Sequence, residues 1–205
     1  MLIFRPKNGK CLMNIVNKDE EVKKEIIEAA KVVFQKWGLK KTTMEDIAKE
    51  AGKGKSTLYY YFKSKEEIFE MLAKAEINNI LYKSKNSITL VNSAKGKLKR
   101  YISTALNEIK NTVSLYPLVR GEIKGNKKFL DKIRKNLDYQ EELIIQEILT
   151  EGFSTKEFNF LSEADINKAA SVIVGVLSGL ELYLFLDNDD DEQIEIVTRM
   201  IAEGI

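Results

Sequence analysis

The sequence predicts an all-α protein of about nine helices, a small three-helix head followed by a larger helical body. Three observations carry that expectation. Apolar residues recur at spacings of three and four over long segments, the period of a helix with one buried face. Proline occurs only at positions 6 and 117, and glycine supplies 11 of 205 residues, so little interrupts those periods. Runs that alternate apolar and polar residues, the mark of a half-buried strand, are scarce.

The elements follow in order. Residues 1–18 hold Arg5, Lys7, Lys10 and Lys18 without an acid and read as a flexible basic arm. A first helix is expected from about Lys18 to Trp37, burying Val22, Ile26, Ala29, Ala30, Val33 and Trp37. Asp19, Glu20 and Glu21 suit the positive end of its dipole, and Gly38 suits its left-handed C-cap. Thr43 reads as an N-cap with Asp46 three residues on. The second helix then runs to about Ala51, turns Met44, Ile47, Ala48 and Ala51 inward, and stops at Gly52. A brief third helix covers about Lys55 to Tyr61. Ser64 and Glu67 form a Ser-x-x-Glu capping box for a fourth, which carries Ile68, Leu72 and Ala75 inward to about Lys83. Further helices are expected near 94–112, 118–122, 126–151, 163–186 and 190–203. The implied division is an arm over 1–18, a helix-turn-helix head over 19–65 and a body over 66–205.

Composition removes several function classes. At 44% hydrophobic and 31% charged, the chain can bury a core, which excludes wholesale disorder. Histidine is absent and Cys11 is the only cysteine. No Ser-His-Asp triad, Cys-His pair, histidine metal site or internal disulfide can form. No paired-acid motif, glycine-rich phosphate loop or Ser-x-x-Lys stands out, so neither an enzyme, a cofactor nor a metal is expected. The acidic run Asp187–Glu192 fails as a calcium loop. Glu192 stands where the turn glycine belongs and Thr198 where the bidentate glutamate belongs, so a helix N-cap is the better reading. The N-terminus lacks an apolar segment of roughly 7–15 residues, as an export signal requires. The apolar stretch Val172–Leu186 is 15 residues long and is broken by Ser178 and Glu181, too short and too polar to span a bilayer. A cytoplasmic protein with no membrane association is expected.

Residues 43–61 carry the functional signal. Two short helices joined by a glycine-containing turn make a helix-turn-helix. The second reads Lys55-Ser-Thr-Leu-Tyr-Tyr-Tyr61. Each residue advances the helix by about 100°, so three consecutive tyrosines cannot all face a core. A face of Lys, Ser, Thr and Tyr suits a DNA groove, where hydroxyls and ammonium groups reach phosphates and aromatic rings meet thymine methyls. A polar surface helix rich in tyrosine is the plainer alternative, and charge decides against it. The whole chain carries +2, but residues 1–65 hold 15 Lys+Arg against 8 Asp+Glu, and residues 66–205 hold 18 against 23. A head of +7 sits on a body of −5, the electrostatic footprint of a DNA-binding head.

The runs Thr43-Met-Glu-Asp-Ile-Ala-Lys-Glu-Ala-Gly52, Lys55-Ser-Thr-Leu-Tyr-Tyr-Tyr-Phe62 and Lys63-Ser-Lys-Glu-Glu67 resemble the DNA-binding head of TetR-family transcriptional repressors. The likeness covers about residues 22–72. The chain departs at Lys53, where the family usually has an apolar residue, at Ser56 and Tyr61, where Gly and His are frequent, and in its longer N-terminal extension. The resemblance implies that Lys55, Ser56, Thr57 and Tyr60 face the major groove. It implies that Tyr59, Tyr61 and Lys65 clamp phosphates and that Thr43 brings its hydroxyl or the helix terminus to another. Lys53 covers an apolar site with its stem while its ammonium reaches water or phosphate. Ile47, Ala48, Leu58 and Phe62 remain core. The basic arm follows the minor groove, is disordered, or precedes a true start at Met13.

For the body the resemblance implies an effector pocket and a dimer interface made by the last two long helices. Ala169, Val172, Val176, Gly179 and Tyr183 form one stripe, with Gly175 and Gly179 four apart, and fit either a partner helix or internal packing. Two inward stripes are interrupted by polar groups, one at Gln140 and Glu141 and the other, which includes Leu177, at Glu181. A carboxylate there needs a partner, either an internal cation or a ligand. Tyr101, Tyr116, Phe129, Tyr139 and Tyr183 are candidate pocket aromatics. The expected protein is a homodimeric, ligand-responsive repressor binding a pseudo-palindromic double-stranded operator and a small-molecule effector. A helix-turn-helix activator and a protein-interaction module are the alternatives.

Overall fold

The computed structural model describes residues 9–123, 126–186 and 191–204, and no strand occurs among them. The helices are α1 (Gly9–Lys41), α2 (Met44–Glu50), α3 (Lys55–Tyr61), α4 (Lys65–Ser87), α5 (Ala94–Ser114), α6 (Pro117–Ile123), α7 (Lys127–Ser154), α8 (Ile166–Leu186) and α9 (Asp191–Gly204). A 3-10 turn, Glu163–Asp165, precedes α8. The chain divides into two compact units, Met1–Leu72 and Ala73–Ile205, so the division falls inside α4 rather than at its start.

In the first unit α1 is longer than its apolar stripe suggests. It begins at Gly9, within the segment expected to be a flexible arm, and no proline from there to Lys41 opposes the extension. It breaks at Gly38, whose φ of 75° lies in the left-handed region that glycine tolerates. Ile26, Ala30 and Phe34 of α1 pack into one core with Ile47 of α2, Leu58 of α3, Phe62, and Ile68, Phe69 and Leu72 of α4. Phe34 and Phe69 meet edge to face with ring centroids 5.4 Å apart. Trp37, expected on the buried stripe, is 50% exposed, with the Lys36 ammonium 5.0 Å above its ring. Phe34 holds the buried aromatic position in its place. Ala51 is only half-buried and Ala75 is exposed, so both expected inward positions lie nearer the rim.

In the second unit α5 packs against α7, α8 and α9. Leu98, Tyr101, Ile102 and Leu106 of α5 meet Ile144, Ile145 and Ile148 of α7, Ala170, Val174 and Leu177 of α8, and Ile194 of α9. The N-terminus of α5 is capped twice. Ser93 Oγ accepts the Gly96 N–H at 3.0 Å, and the Glu157 carboxylate accepts the N–H groups of Ala94 and Lys95 at 3.1 and 3.0 Å. Those backbone donors hold the Glu157 carboxyl below its ordinary pKa. Near the end of α7, Gly152 lies against the fully buried Phe158 ring, so closely that a Cβ would overlap it. No helix among the described residues is long and apolar enough to cross a membrane. The acidic run 187–190 lies outside the described residues, and its expected role as a cap is not addressed by them.

Gly152→Ala is expected to destabilise the second unit by about 1–3 kcal/mol, because the Phe158 ring has to move from a filled core. Thermal or denaturant unfolding measures that loss, and an unchanged midpoint would contradict the close approach.

Candidate nucleic-acid interface and body cavity

The reading helix is built from the turn that precedes it. Thr43 and Asp46 cap α2 reciprocally. The Asp46 N–H donates to Thr43 Oγ1 at 3.2 Å, and the Thr43 N–H donates to Asp46 Oδ2 at 2.8 Å. The Thr43 hydroxyl and the Thr43 N–H, both donating to Asp46 Oδ2, hold the Asp46 carboxyl below its ordinary pKa. Gly52, at φ 63°, closes α2 in a Schellman arrangement. Its N–H reaches Lys49 O at 3.1 Å, and the Lys53 N–H reaches Ala48 O at 2.9 Å. The chain then enters α3, where Leu58 is fully buried and anchors the helix. Lys55, Ser56, Tyr59 and Tyr60 are exposed, Tyr60 at 76%, while Thr57 and Tyr61 are half-buried. Of the expected groove face, Lys55, Ser56 and Tyr60 point outward, whereas Thr57 is half-buried, and Tyr59, expected at a phosphate, is exposed.

Several expected DNA contacts already have protein partners. Lys55 forms an ion pair with Glu45. Lys53 is half-buried and its ammonium lies 2.6 Å from Glu25 Oε2, consistent with the stem-covering role. The Tyr61 hydroxyl donates to Asp19 Oδ1 at 2.8 Å, tying α3 to α1, and its ring meets that of Tyr60 edge to face. Thr43 Oγ1 donates to Asp46 Oδ2 at 2.7 Å. Lys65 Nζ donates to Lys40 O at 3.0 Å and Thr42 O at 2.8 Å, so it caps the end of α1. Lys63 N and Ser64 Oγ engage Glu67 at the start of α4, much as the capping box predicts. Sequence spacing did not reveal Asp19, Glu25 and Glu45 as partners, because each acts across an inter-helix contact.

In the body, a cavity of about 30 Å³ lies among α4, α5, α7 and α8. Ile77, Ile80, Leu81 and Ser84 line it from α4, Tyr101 and Ile109 from α5, Leu137 and Glu141 from α7, and Glu181 from α8. Of the residues expected at a pocket, Tyr101, Glu141 and Glu181 converge here. Gln140, one helical step from Glu141, faces solvent instead. Leu177 is fully buried in the core, Phe129 is half-buried, and Tyr116 donates its hydroxyl to Glu76 Oε1 at 2.8 Å. None of these four lines the cavity.

A polar cluster that the apolar stripes did not disclose surrounds the two glutamates. Arg134 Nη1 lies 2.5 Å from Glu181 Oε2, and its Nε lies 3.3 Å from Asp138 Oδ1 and donates to Ser178 Oγ at 2.9 Å. Ser178 in turn donates to Asp138 Oδ1 at 3.1 Å. Tyr101 donates to Glu141 Oε1 at 3.1 Å, and Glu141 Oε2 has no hydrogen-bond partner among the described residues. Burial and the nearby Glu181 charge push the Glu141 carboxyl up to about 8, and burial likewise raises Glu181 against the lowering effect of Arg134. Burial and the Glu141 charge push the Tyr101 hydroxyl above its ordinary pKa. Arg134, Asp138 and Glu141 stand at i, i+4 and i+7 on α7, a spacing that places them on one face.

On α8, Val172 is 65% and Val176 46% exposed, and Gly175 and Gly179 are exposed beside them. Ala169 is half-buried against the core, and the Tyr183 side chain lies outside the described residues. Val172, Gly175, Val176 and Gly179 therefore form an exposed, small-residue apolar face, whereas Ala169 of the expected stripe turns toward the core.

Residues 26–72 match the family model for bacterial regulatory proteins of the tetR family. The chain is 29% identical over 154 residues to the fatty acid metabolism regulator protein of Bacillus subtilis (strain 168), covering 75% of this chain and 78% of that protein. It is 24% identical over 148 residues to the HTH-type transcriptional repressor KstR2 of Rhodococcus jostii (strain RHA1), covering 71% of each. Among solved structures, the Bacillus subtilis transcriptional regulator FadR in complex with stearoyl-CoA superposes with a TM-score of 0.65 at 26% identity. That alignment covers 88% of this chain and 98% of that one.

Tyr60→Ala is expected to weaken DNA binding roughly tenfold with no change in thermal unfolding. Leu58→Ala should instead lower head stability by about 2–5 kcal/mol. Equal effects of the two on unfolding would refute the assigned faces. For Glu141 the sign follows from its raised folded-state pKa, since the folded protein holds more protons than the unfolded chain between about pH 4.5 and 8. Body stability should fall as pH rises through that window. Glu141→Gln should flatten the fall and raise the melting temperature more at pH 8.5 than at pH 5.

Proposed function

We propose that this chain, a DNA-binding transcriptional regulator of the tetR family, acts as a homodimeric repressor that a small-molecule effector releases from its operator. The exposed Lys55, Ser56, Tyr59 and Tyr60 on a helix anchored by buried Leu58 are the observation that carries the DNA-reading role. In this reading Lys55, Ser56, Thr57 and Tyr60 meet base edges, and Tyr59 and the Lys53 ammonium meet phosphates. Tyr61 and Lys65 act first as struts, through Asp19 and the α1 carbonyls, and position that face. Thr43 fixes the start of α2 by its cap and offers a phosphate the helix terminus rather than a free hydroxyl.

The dimer reading rests on α8. A face bearing Val172, Gly175, Val176 and Gly179 exposes apolar surface that a second copy covers, with the glycines letting two helices approach closely. Two heads then read two half-sites about 34–36 Å apart or somewhat more. The effector reading rests on the cavity where Tyr101, Glu141 and Glu181 converge, and the stearoyl-CoA complex of FadR supports ligand binding by a protein of this fold. The repressor sign is supported by the name of KstR2. Release needs a relay, and α4 is suited to it. Its first turns supply Ile68, Phe69 and Leu72 to the head core, and its later turns line the cavity. An effector acts only through different affinities for the DNA-competent and incompetent arrangements. The regulatory relatives and the lack of histidine chemistry support a non-catalytic, cytoplasmic protein.

Selection from random double-stranded DNA should return an inverted repeat, bound with steep salt dependence. Lys53→Ala should make that salt dependence shallower by up to about one unit of slope. Val176→Glu should yield monomers by sedimentation and weaken operator binding at least about tenfold while helix content is retained. A monomer that binds a single half-site with full affinity would overturn the dimer reading.

A further inference from the structure

The body cavity has a charge balance that narrows its ligand. Three carboxylates, Asp138, Glu141 and Glu181, gather around one guanidinium, that of Arg134. Arg134 is committed to Glu181, Asp138 and Ser178. Glu141 is 2% exposed, its Oε1 is held by Tyr101, and its Oε2 is left for the cavity without a partner among the described residues. A buried carboxylate oxygen without a partner is costly. Glu181 Oε2, which lies 2.5 Å from the Arg134 guanidinium, and Thr198 Oγ1 are the other buried polar atoms without a hydrogen bond among the described residues. Of the three, only Glu141 Oε2 is on a cavity-lining residue with no cation against that oxygen. The rest of the lining is aliphatic, chiefly Ile77, Ile80, Leu81 and Leu137.

We propose that this cavity is the polar end of a site for hydrophobic amines, ligands with one positively charged nitrogen on an alkyl or aryl body, the nitrogen lying against Glu141 Oε2. This identifies the effector class of the repressor reading and rests on it. A fatty acyl carboxylate or phosphate would add negative charge beside Asp138 and Glu181, whose guanidinium partner, Arg134, is already engaged, and would hold Glu141 in its protonated form. Acyl-CoA is therefore the less suited ligand for this particular chain. About 30 Å³ admits a small cationic head or a water, so the apolar body must displace the α4 side chains Ile77, Ile80 and Leu81. The amine thereby acts on the helix that also enters the head core.

A proton is the natural occupant in the ligand's absence. The groups facing Glu141 are Tyr101 from α5, Arg134 and Asp138 from α7 and Glu181 from α8, while α4 contributes only aliphatic residues and Ser84. The cation replaces the Glu141 proton, so binding releases a proton and strengthens with rising pH until that carboxyl is ionised.

The test is calorimetric titration of the full chain with four probes below their micellar range: decylammonium, decanoate, decanol and stearoyl-CoA. The ammonium should bind at least about tenfold more tightly than the decanoate and decanol of equal chain length. Its affinity should rise up to about tenfold per pH unit between pH 6 and 7, with proton release detected in buffers of different ionisation enthalpy. Glu141→Gln should weaken the ammonium at least about tenfold and abolish its pH dependence. Decanoate or stearoyl-CoA binding as tightly as the ammonium, or a Glu141→Gln protein with the same ammonium affinity and pH slope, overturns the proposal. If Glu141→Gln does not unfold cooperatively, the probe ranking and pH slope of the unmodified chain decide it. Operator binding separates this outcome from the wider reading. Ammonium binding that leaves the protein on DNA defeats effector release but keeps the site, whereas DNA release by stearoyl-CoA alone keeps effector release and defeats the amine site.

Discussion

A helix of seven residues does not hold itself together in water, and both helices of the reading motif are that short. The head therefore depends on what α2 and α3 bury. Ile47 and Leu58 are each fully enclosed, and the α1 and α4 residues around them supply the rest of that core. The Schellman turn at Gly52 fixes the angle between the two helices without any side chain. Because one residue of α3 carries the anchoring, the outward positions are released from packing and free to be polar and aromatic. The exposed tyrosines are a consequence of that division of labour.

The body works by the opposite rule. Its helices are long and their core is broad, so it can carry a polar cluster that would unfold a smaller unit. The cost of burying Glu141 and Glu181 is borne by α7 and α8, whose packing continues on both sides of the cluster. α4 belongs to both regimes. It contributes to the head core through Phe69 and Leu72 and to the cavity wall through Ile80 and Leu81. Among the described residues, this single uninterrupted helix has side chains in both places.

The helix order was legible in the sequence because the ends are written in local chemistry. Thr43 with Asp46, Gly52, and Ser64 with Glu67 each act within a few residues of themselves, and each lies where its cap places it. Spacing alone did not distinguish Phe34 from Trp37, since both lie close to the same stripe and only the core across from them selects one. Gln140 and Glu141 were separable only by a rotation of about 100°, which sequence resolves poorly at an interrupted stripe. The outward residues of α3 were legible from the tyrosine run. Their acidic partners were not, because Tyr61 and Asp19 are 42 residues apart and nothing in the intervening pattern joins them. Arg134 was hidden for the same reason, being recognisable as a partner only once α7 and α8 are side by side.

The lysines of the head keep their own counter-anions. Lys55 holds Glu45, and Lys53 holds Glu25. In the proposed complex, where Lys53 meets phosphate and Lys55 a base edge, each gives up a carboxylate it already has, so the gain from an arbitrary stretch of DNA is smaller than a head charge of +7 suggests. The exchange is worthwhile only where base contacts add to it. In a cell filled with competing sequence, such self-neutralisation shortens each wrong encounter and leaves more of the protein free to search.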